Sequence, residues 1–380
     1  MTARRRSEEL STVPVSVTVM NASVMETRGV RSEADLQRTI PGLLVRSANT
    51  NNSLNYVMRG ESLDGYSGSP PGVQPYVNEV PYPIMAANTF FDLENVQAVK
   101  GPQGTLFGRN STGGAVLFQT AAPTQDFGGH LSVQYGNHDK LIAEAAINLP
   151  VATDKLAIRL AGTVSSGGGY VRNLYDGREL GDKKESSGRI TVLLTPTERI
   201  SNQTMFQIGK ANGTNVPNTM YNAVPCTQEF AFNSCIYSPA NQPFFNDLLA
   251  DNIFPGYPDA GANIYPGGFE SLPEYLRSQG KYVVSANAPF THRSRSLMMV
   301  NKTTIELSDT VSIKNILGYT KTRNVINYDT DYSPYPIVQQ FRPGTIDPDF
   351  ENQRTRTWSN ELQLEGTALD DRLNFIFGLF

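Results

Sequence analysis

Residues Leu93 to Thr120, LENVQAVKGPQGTLFGRNSTGGAVLFQT, decide the fold. A short apolar strand, Val96 to Val99, runs into a Gly-Pro turn at Gly101 and Pro102. A crossover punctuated by Gly104, Gly108, Gly113 and Gly114 follows, and a second strand runs from Ala115 to Phe118. Glycines this dense between two strands mark backbone that turns tightly and passes close to other backbone. A nucleotide cradle would need Lys-Ser/Thr after its glycines, but Gly108 is followed by Arg109-Asn110.

Upstream of this motif the chain reads as a small mixed α/β unit, residues 1–123. Val13 to Met20 is an apolar, β-branched strand. Ser32 and Asp35 resemble a capping box and open a short helix, Glu33 to Thr39, which Pro41-Gly42 stops. Strands are expected at Leu43 to Arg46, Tyr56 to Met58 and Tyr76 to Val80. Asn49 to Asn55 and Glu61 to Gly72 are loops by composition.

After Pro123 the pattern changes to long segments with period-2 alternation. Leu131, Val133 and Tyr135 share one face, as do Leu156, Ile158 and Leu160, then Ile190, Val192 and Leu194, then Leu373, Phe375, Phe377 and Leu379. Nine such segments are expected, at 127–136, 140–150, 154–166, 187–196, 199–210, 295–307, 310–323, 353–365 and 371–380. Each is close to, or somewhat longer than, the ~9–11 residues that cross a bilayer as a tilted strand. Their connections sort by length: the odd ones have 3, 20, 84 and 29 residues and the even ones 3, 2, 2 and 5. Short turns at one end and long loops at the other are the pattern of an outer-membrane barrel, with the short turns periplasmic. A soluble β-sandwich has no reason to segregate its loops this way. Only the first connection, Asn137 to Asp139, departs from the rule.

The bulk numbers agree with this reading. A formal net charge of -4 over 380 residues leaves no basic footprint for nucleic acid. The mean hydropathy of -0.33 does not exclude a membrane barrel, because lumen-facing positions dilute the lipid-facing ones. Cys226 and Cys235, with eight residues between them, would close a small disulfide loop in an oxidising compartment and stay free thiols in the cytosol. His130, His138 and His292 lack the spacing of a zinc site, so no metal site is expected. Asp329/Asp331 and Asp347/Asp349 read as solvated loop charges, no Gly-x-Ser-x-Gly nucleophile occurs, and the chain is not expected to be an enzyme.

The segment from Gly101 to Gly114 closely resembles the plug signature of TonB-dependent outer-membrane receptors, through Gly101, Pro102, Gly104, Leu106, Gly108, Arg109, Asn110, Gly113 and Gly114. LQRTIPGLLV (Leu36 to Val45) and YVMRGE (Tyr56 to Glu61, with Arg59 and Gly60) are similar to other parts of that plug. TWSNELQLEG (Thr357 to Gly366) resembles a recurrent barrel strand with an inward Glu361. The resemblance implies a small mixed α/β plug domain, residues 1–123, followed by an antiparallel transmembrane β-barrel of which residues 124–380 form about nine strands. It implies a bacterial outer-membrane location and active uptake of a large scarce solute, a ferric siderophore before cobalamin, haem or an oligosaccharide. The implied partners are the TonB energy-transducing protein at the plug N-terminus, outer-membrane lipid and an iron chelate, with no cofactor. Ligand contacts are expected at Asn51, Asn52, Tyr66 and Tyr82 and on an extracellular lid, Ala211 to Ser294, with short helices at Pro243 to Ala250 and Leu272 to Ser278. The competing reading is a secreted, soluble all-β carbohydrate-binding protein or enzyme.

The departures from the family pattern set further expectations. Asn78-Glu79 stands where Asp-Gly is common, so that turn is expected to be altered. Gln97 and Asn95 stand where Glu and Arg are common, so neutral hydrogen bonds are expected to replace a charged contact between plug and wall. Arg109 and Asn110 are expected to be buried polar residues. MTARRRSEEL is not a secretory signal, and by the resemblance the box that TonB would grip is expected just ahead of Thr2-Ala3, mostly outside this chain. Plugged outer-membrane transporters carry about 22 strands, so the chain is expected to be part of a longer receptor.

Overall fold

A computed structural model of the chain describes residues 15–47, 54–62, 70–82, 90–102, 104, 110–216, 219, 268–287, 290–327, 332–334, 351–369 and 372–380. The first unit comprises β1 (Val17–Asn21), α1 (Ala22–Thr27), a 3-10 turn (Glu33–Asp35) running into α2 (Leu36–Thr39), β2 (Leu43–Ser47), β3 (Leu54–Met58), β4 (Val73–Val77), β5 (Val80–Pro81), β6 (Leu93–Lys100) and β7 (Gly114–Thr120). Five strands form one sheet in the order β1-β6-β7-β4-β5, with β4 and β7 parallel, and β2 pairs with β3 apart from it. All of β4 and nearly all of β7 is buried, so neither strand shows the alternation of a one-sided strand.

Two local features differ from expectation. Helix α1 was not anticipated: the Asn21 side chain accepts the Val24 N–H at 2.9 Å and starts a helix of only six residues, too short for a periodic signal. The expected strand Tyr76 to Val80 is instead broken by a hairpin turn, with Asn78 at φ 48° and Glu79 at φ 74°. A two-residue turn of that hand matches strand twist, and a β-period pattern across it reads as one strand. At the helix expected from Glu33, Ser32 Oγ donates to the Asp35 carboxylate at 2.8 Å, so the serine does not cap a backbone N–H as a capping box would.

All nine alternating segments are strands: β8 (Gly128–Gly136), β9 (Lys140–Ala152), β10 (Leu156–Gly167), β13 (Lys183–Thr197), β14 (Ile200–Thr214), β16 (Thr291–Glu306), β17 (Val311–Ile326), β18 (Glu351–Ala368) and β19 (Leu373–Leu379). They form a single antiparallel sheet in that order, open, with β8 and β19 at its edges. At its long-loop end β11 (Val171–Asn173), β12 (Glu179–Leu180) and β15 (Val283–Val284) make a small sheet. Val171, Leu180, Val284, Ala286 and Phe290 are its core, and α3 (Gly268–Gln279) precedes β15 and contains the expected helix Leu272 to Ser278. Pro243 to Ala250 lies outside the described residues.

The two faces of the nine-stranded sheet differ in chemistry. On the outer face Ile147, Leu160, Ile190, Phe206, Met299, Tyr319 and Trp358 stand opposite one another, strand by strand, in one apolar row. The Tyr319 and Trp358 rings lie 4.4 Å apart. Nearer the short turns the same face carries a polar ladder whose members bond each other: Asn202 to Thr303 at 2.7 Å, Asn301 to Thr204 at 2.8 Å and Asn315 to Asn360 at 2.7 Å. Such mutual satisfaction is what polar groups need at a lipid boundary. On the inner face Met205, Met298, Val300 and Ile316 join one continuous apolar cluster with Leu36, Tyr56, Val80 and Phe118 of the first unit. The α/β unit is therefore seated on the inner face, and burying that shared cluster holds it there.

Candidate functional site at the plug and wall interface

The glycine-rich motif closes one end of the inner unit. Arg59 (φ 53°) and Gly60 (φ 80°) form a tight turn bridged by Met58 and Glu61. The Arg59 guanidinium lies over Gly101, where a Cβ would meet its Nη1 at 2.5 Å. Gly101 N–H donates to the Gly113 carbonyl at 2.9 Å, and Gly113 N–H to that of Gly72 at 2.8 Å. At Gly114, φ is +145° and a Cβ would stand 2.3 Å from the Val99 carbonyl oxygen. Gly113 and Gly114 need glycine because backbone carbonyls of Met58 and Val99 pack directly on them, and Gly101 because its φ is +98°.

The altered turn at Asn78-Glu79 is the first of two polar knots between the inner unit and the wall. Asn78 accepts the Thr120 N–H at 3.0 Å, and its amide donates to Thr120 Oγ1 at 2.9 Å and to Met205 Sδ at 3.2 Å. Glu79, 4% exposed, accepts from Lys302 Nζ at 2.6 Å and from Lys314 Nζ at 2.8 Å. Burial alone would raise the Glu79 carboxyl, but the two ammonium groups outweigh it and hold it below the ordinary value. Wall residue Gly318 has no side chain to obstruct the hairpin: a Cβ there would stand 2.4 Å from Val80.

The second knot centres on Asp92, at the start of β6. Arg159 of β10 grips its carboxylate in a fork, Nε to Oδ2 at 2.9 Å and Nη2 to Oδ1 at 2.6 Å. Arg189 of β13 lies with its guanidinium carbon 4.1 Å from the centre of the Phe91 ring, and donates to the Phe91 carbonyl at 3.1 Å and to Gln207 at 2.8 Å. Asp92 N–H donates to Glu144 of β9 at 2.9 Å. Planar forks of this kind fix geometry as well as charge. Just beyond, Asn148 of β9 accepts Thr124 N–H at 2.9 Å and donates to the Thr124 carbonyl at 2.8 Å, clamping the chain where it passes into the wall.

Beside the Asp92 knot, between the inner unit and the first wall strands, lies a cavity of about 820 Å³, lined by Tyr56, Tyr82, Phe90, Asp92, Glu144 and Lys183 among others. The Tyr56 hydroxyl donates to Glu33, and burial with that neighbouring carboxylate raises its pKa well above the ordinary value. Such a tyrosine stays protonated and acts as a donor.

The sequence-derived residues divide by position. Arg59, Gly60, Gly101, Gly113 and Gly114 are brought together as described. Pro102 and Gly104 are exposed, and Asn110 is half-buried where full burial was expected. Tyr82 is 7% exposed, packs in the apolar cluster and lines the cavity. Leu106, Gly108, Arg109, Asn51, Asn52, Tyr66, Cys226 and Cys235 lie outside the described residues. Gln97 does donate to Asn95, at 2.8 Å, as a neutral pair. The ionic contacts between plug and wall run elsewhere, through Glu79 and Asp92. Neither knot was anticipated: both ionic contacts join the inner unit to wall strands far along the chain. A signal existed only in Glu79 replacing the usual glycine.

Residues 9–115 match the family described as TonB-dependent Receptor Plug Domain. The pesticin receptor of Yersinia pestis is 27% identical over 206 residues, 52% of this chain and 29% of that protein. The ferripyoverdine receptor of Pseudomonas aeruginosa is 29% identical over 141 residues, 36% of this chain and 17% of that protein. Among solved structures, the ferric yersiniabactin uptake receptor from Yersinia pestis superposes with a TM-score of 0.70 at 17% identity, covering 100% of this chain and 50% of its own. The chain thus spans about half the length of that receptor, and its alignments cover less than a third of these curated relatives.

Proposed function

We propose that this chain, whose plug and sheet are those of a TonB-dependent outer-membrane receptor, serves the energy-driven uptake of a ferric siderophore across the bacterial outer membrane. The observation that carries this reading is the pair of ionic knots at Glu79 and Asp92, which seat the plug against the wall as a closed gate. A gate that opens only on demand needs contacts strong enough to hold and local enough to be released. The iron-chelate names of the ferripyoverdine receptor and of the ferric yersiniabactin uptake receptor support the choice of cargo. The plug is assigned to residues 1–123 and the wall to 124–380. Chelate contacts fall to Asn51, Asn52, Tyr66 and Tyr82 and to the lid at the long-loop end, which a Cys226–Cys235 disulfide would brace. TonB would pull from the plug N-terminus. The protein acts as a transporter and not as an enzyme. The outer apolar row disfavours a soluble carbohydrate-binding protein, which would expose it to water.

Uptake of radioiron-labelled chelates by a deletion strain, with and without the restored gene, tests the reading. Loss of uptake of one chelate, restored by the gene, is expected. Unchanged growth of the deletion strain under iron limitation would sink the siderophore assignment.

A further inference from the structure

The outer face of the sheet has a second chemistry at its long-loop end. One step from the apolar row, the register places Ala145, Gly162, Gly188, Ile208, Leu297, Lys321 and Arg356 opposite one another in turn. The next step reads Ala143, Val164, Ser186, Lys210, Arg295, Arg323 and Arg354. Each row is small and apolar over β9–β13 and cationic toward β18. Arg295 faces a cation on both sides, Lys210 and Arg323, and Lys321 faces Arg356. Like charges directly opposite destabilise a sheet, and neither row contains a carboxylate to offset them. Among the described residues Lys210, Arg295, Lys321, Arg354 and Arg356 form no ion pair.

The small residues leave a recess of about 870 Å³ on this outward face, floored by Ala143, Ala145, Gly162, Ser186 and Gly188, with Lys210, Arg295 and Lys321 on its rim. The cations lie on the long-loop side of the Tyr319–Trp358 pair, where aromatic girdles mark the boundary between hydrocarbon and headgroups. Long loops face the cell exterior, so the adjacent leaflet is the outer one.

We propose that this face binds an acylated glycolipid of the outer leaflet, with an acyl chain in the small-residue recess and its phosphate esters on Lys210, Arg295, Lys321 and Arg356. An amphiphile matches the division of the surface into an apolar and a cationic half. The cationic half runs over four neighbouring strands, β14, β16, β17 and β18, about 14 Å at the usual strand spacing, which suits a sugar headgroup bearing two phosphates better than a single phosphodiester. Arginine forks supply paired donors to phosphate oxygens. The inference uses the membrane placement of the sheet and is independent of the cargo.

The test is binding of defined lipids to the purified protein in neutral detergent, read by native mass spectrometry. Diphosphoryl lipid A is expected to bind about tenfold or more tighter than its dephosphorylated form or phosphatidylglycerol. The double substitution Arg295→Gln/Lys321→Gln should weaken it by about tenfold or more, whereas Arg295→Lys should retain binding within about threefold. Equal binding of phosphatidylglycerol would overturn the glycolipid assignment. Equal competition by inorganic phosphate would reduce the face to a simple anion site and overturn it too. If the double variant does not fold, the comparison of lipids on the unaltered protein decides alone.

Discussion

The Glu79 carboxylate, at the tip of a plug hairpin, accepts a 2.8 Å hydrogen bond from Lys314 of the wall, 235 residues further along the chain. Lys302 of the neighbouring strand reaches the same carboxylate, so one buried anion ties the plug to two adjacent wall strands. Its turn conformation would suit glycine better, and the side chain is kept at that cost.

Glu79→Gln leaves two neighbouring ammonium groups without their anion and should destabilise the seated plug by about 3 kcal/mol. Glu79→Gly relieves the left-handed backbone by about 1 kcal/mol but also removes the anion, so it too should be net destabilising. Hydrogen exchange of β4 and β5 checks both. A Glu79→Gly protein more protected than the parent would show that the knot contributes nothing.

The same group sets a pH dependence. Its carboxyl in the folded protein lies below the ordinary value of 4.5. The contribution is therefore complete above 4.5 and is lost as pH falls through the lower, folded value. Plug exposure to an acid-stable protease should rise in that acid range in the parent protein. The Glu79→Gln variant should lack this component, and identical pH profiles for the two would refute it.

Asp92→Asn should weaken the second knot by about 3–5 kcal/mol, because Arg189, 1% exposed, stays buried with its nearest counter-charge removed. Arg159→Lys keeps the charge but loses the fork and should cost about 1 kcal/mol. Guanidinium unfolding of the plug, followed by Trp-free probes placed on β6, separates the two. Equal effects would mean that geometry carries no part of the contact.

Gly318→Val places a side chain where Val80 of the plug already sits, and the hairpin must shift. A cost of about 1–3 kcal/mol is expected, with a leakier gate. Entry of a large hydrophilic dye into cells carrying the variant measures it. Unchanged entry, with normal amounts of protein in the membrane, would show that this contact does not seal.

The nine wall strands were legible because their signal is local. Each strand has one face toward the apolar exterior and one toward the interior, and that difference is written at every second residue, as in Leu156, Ile158 and Leu160. The glycine motif was legible for a related reason: backbone packs on backbone at Gly113 and Gly114, and Gly101 holds a left-handed φ of +98°. Helix α1 escaped because six residues hold less than two turns of periodicity.

The sequence by itself determined a plug-like unit, a run of membrane-length strands and the segregation of their loops. Only the tertiary structure decided what holds them together. Glu79 meets Lys302 and Lys314, and Asp92 meets Arg159, because the plug rests on the inner face in one register of the sheet. The cationic rows of the outer face likewise exist only once β14, β16, β17 and β18 are aligned. Alternation is imposed on each residue by its immediate surroundings, whereas charge pairing depends on which distant strands become neighbours.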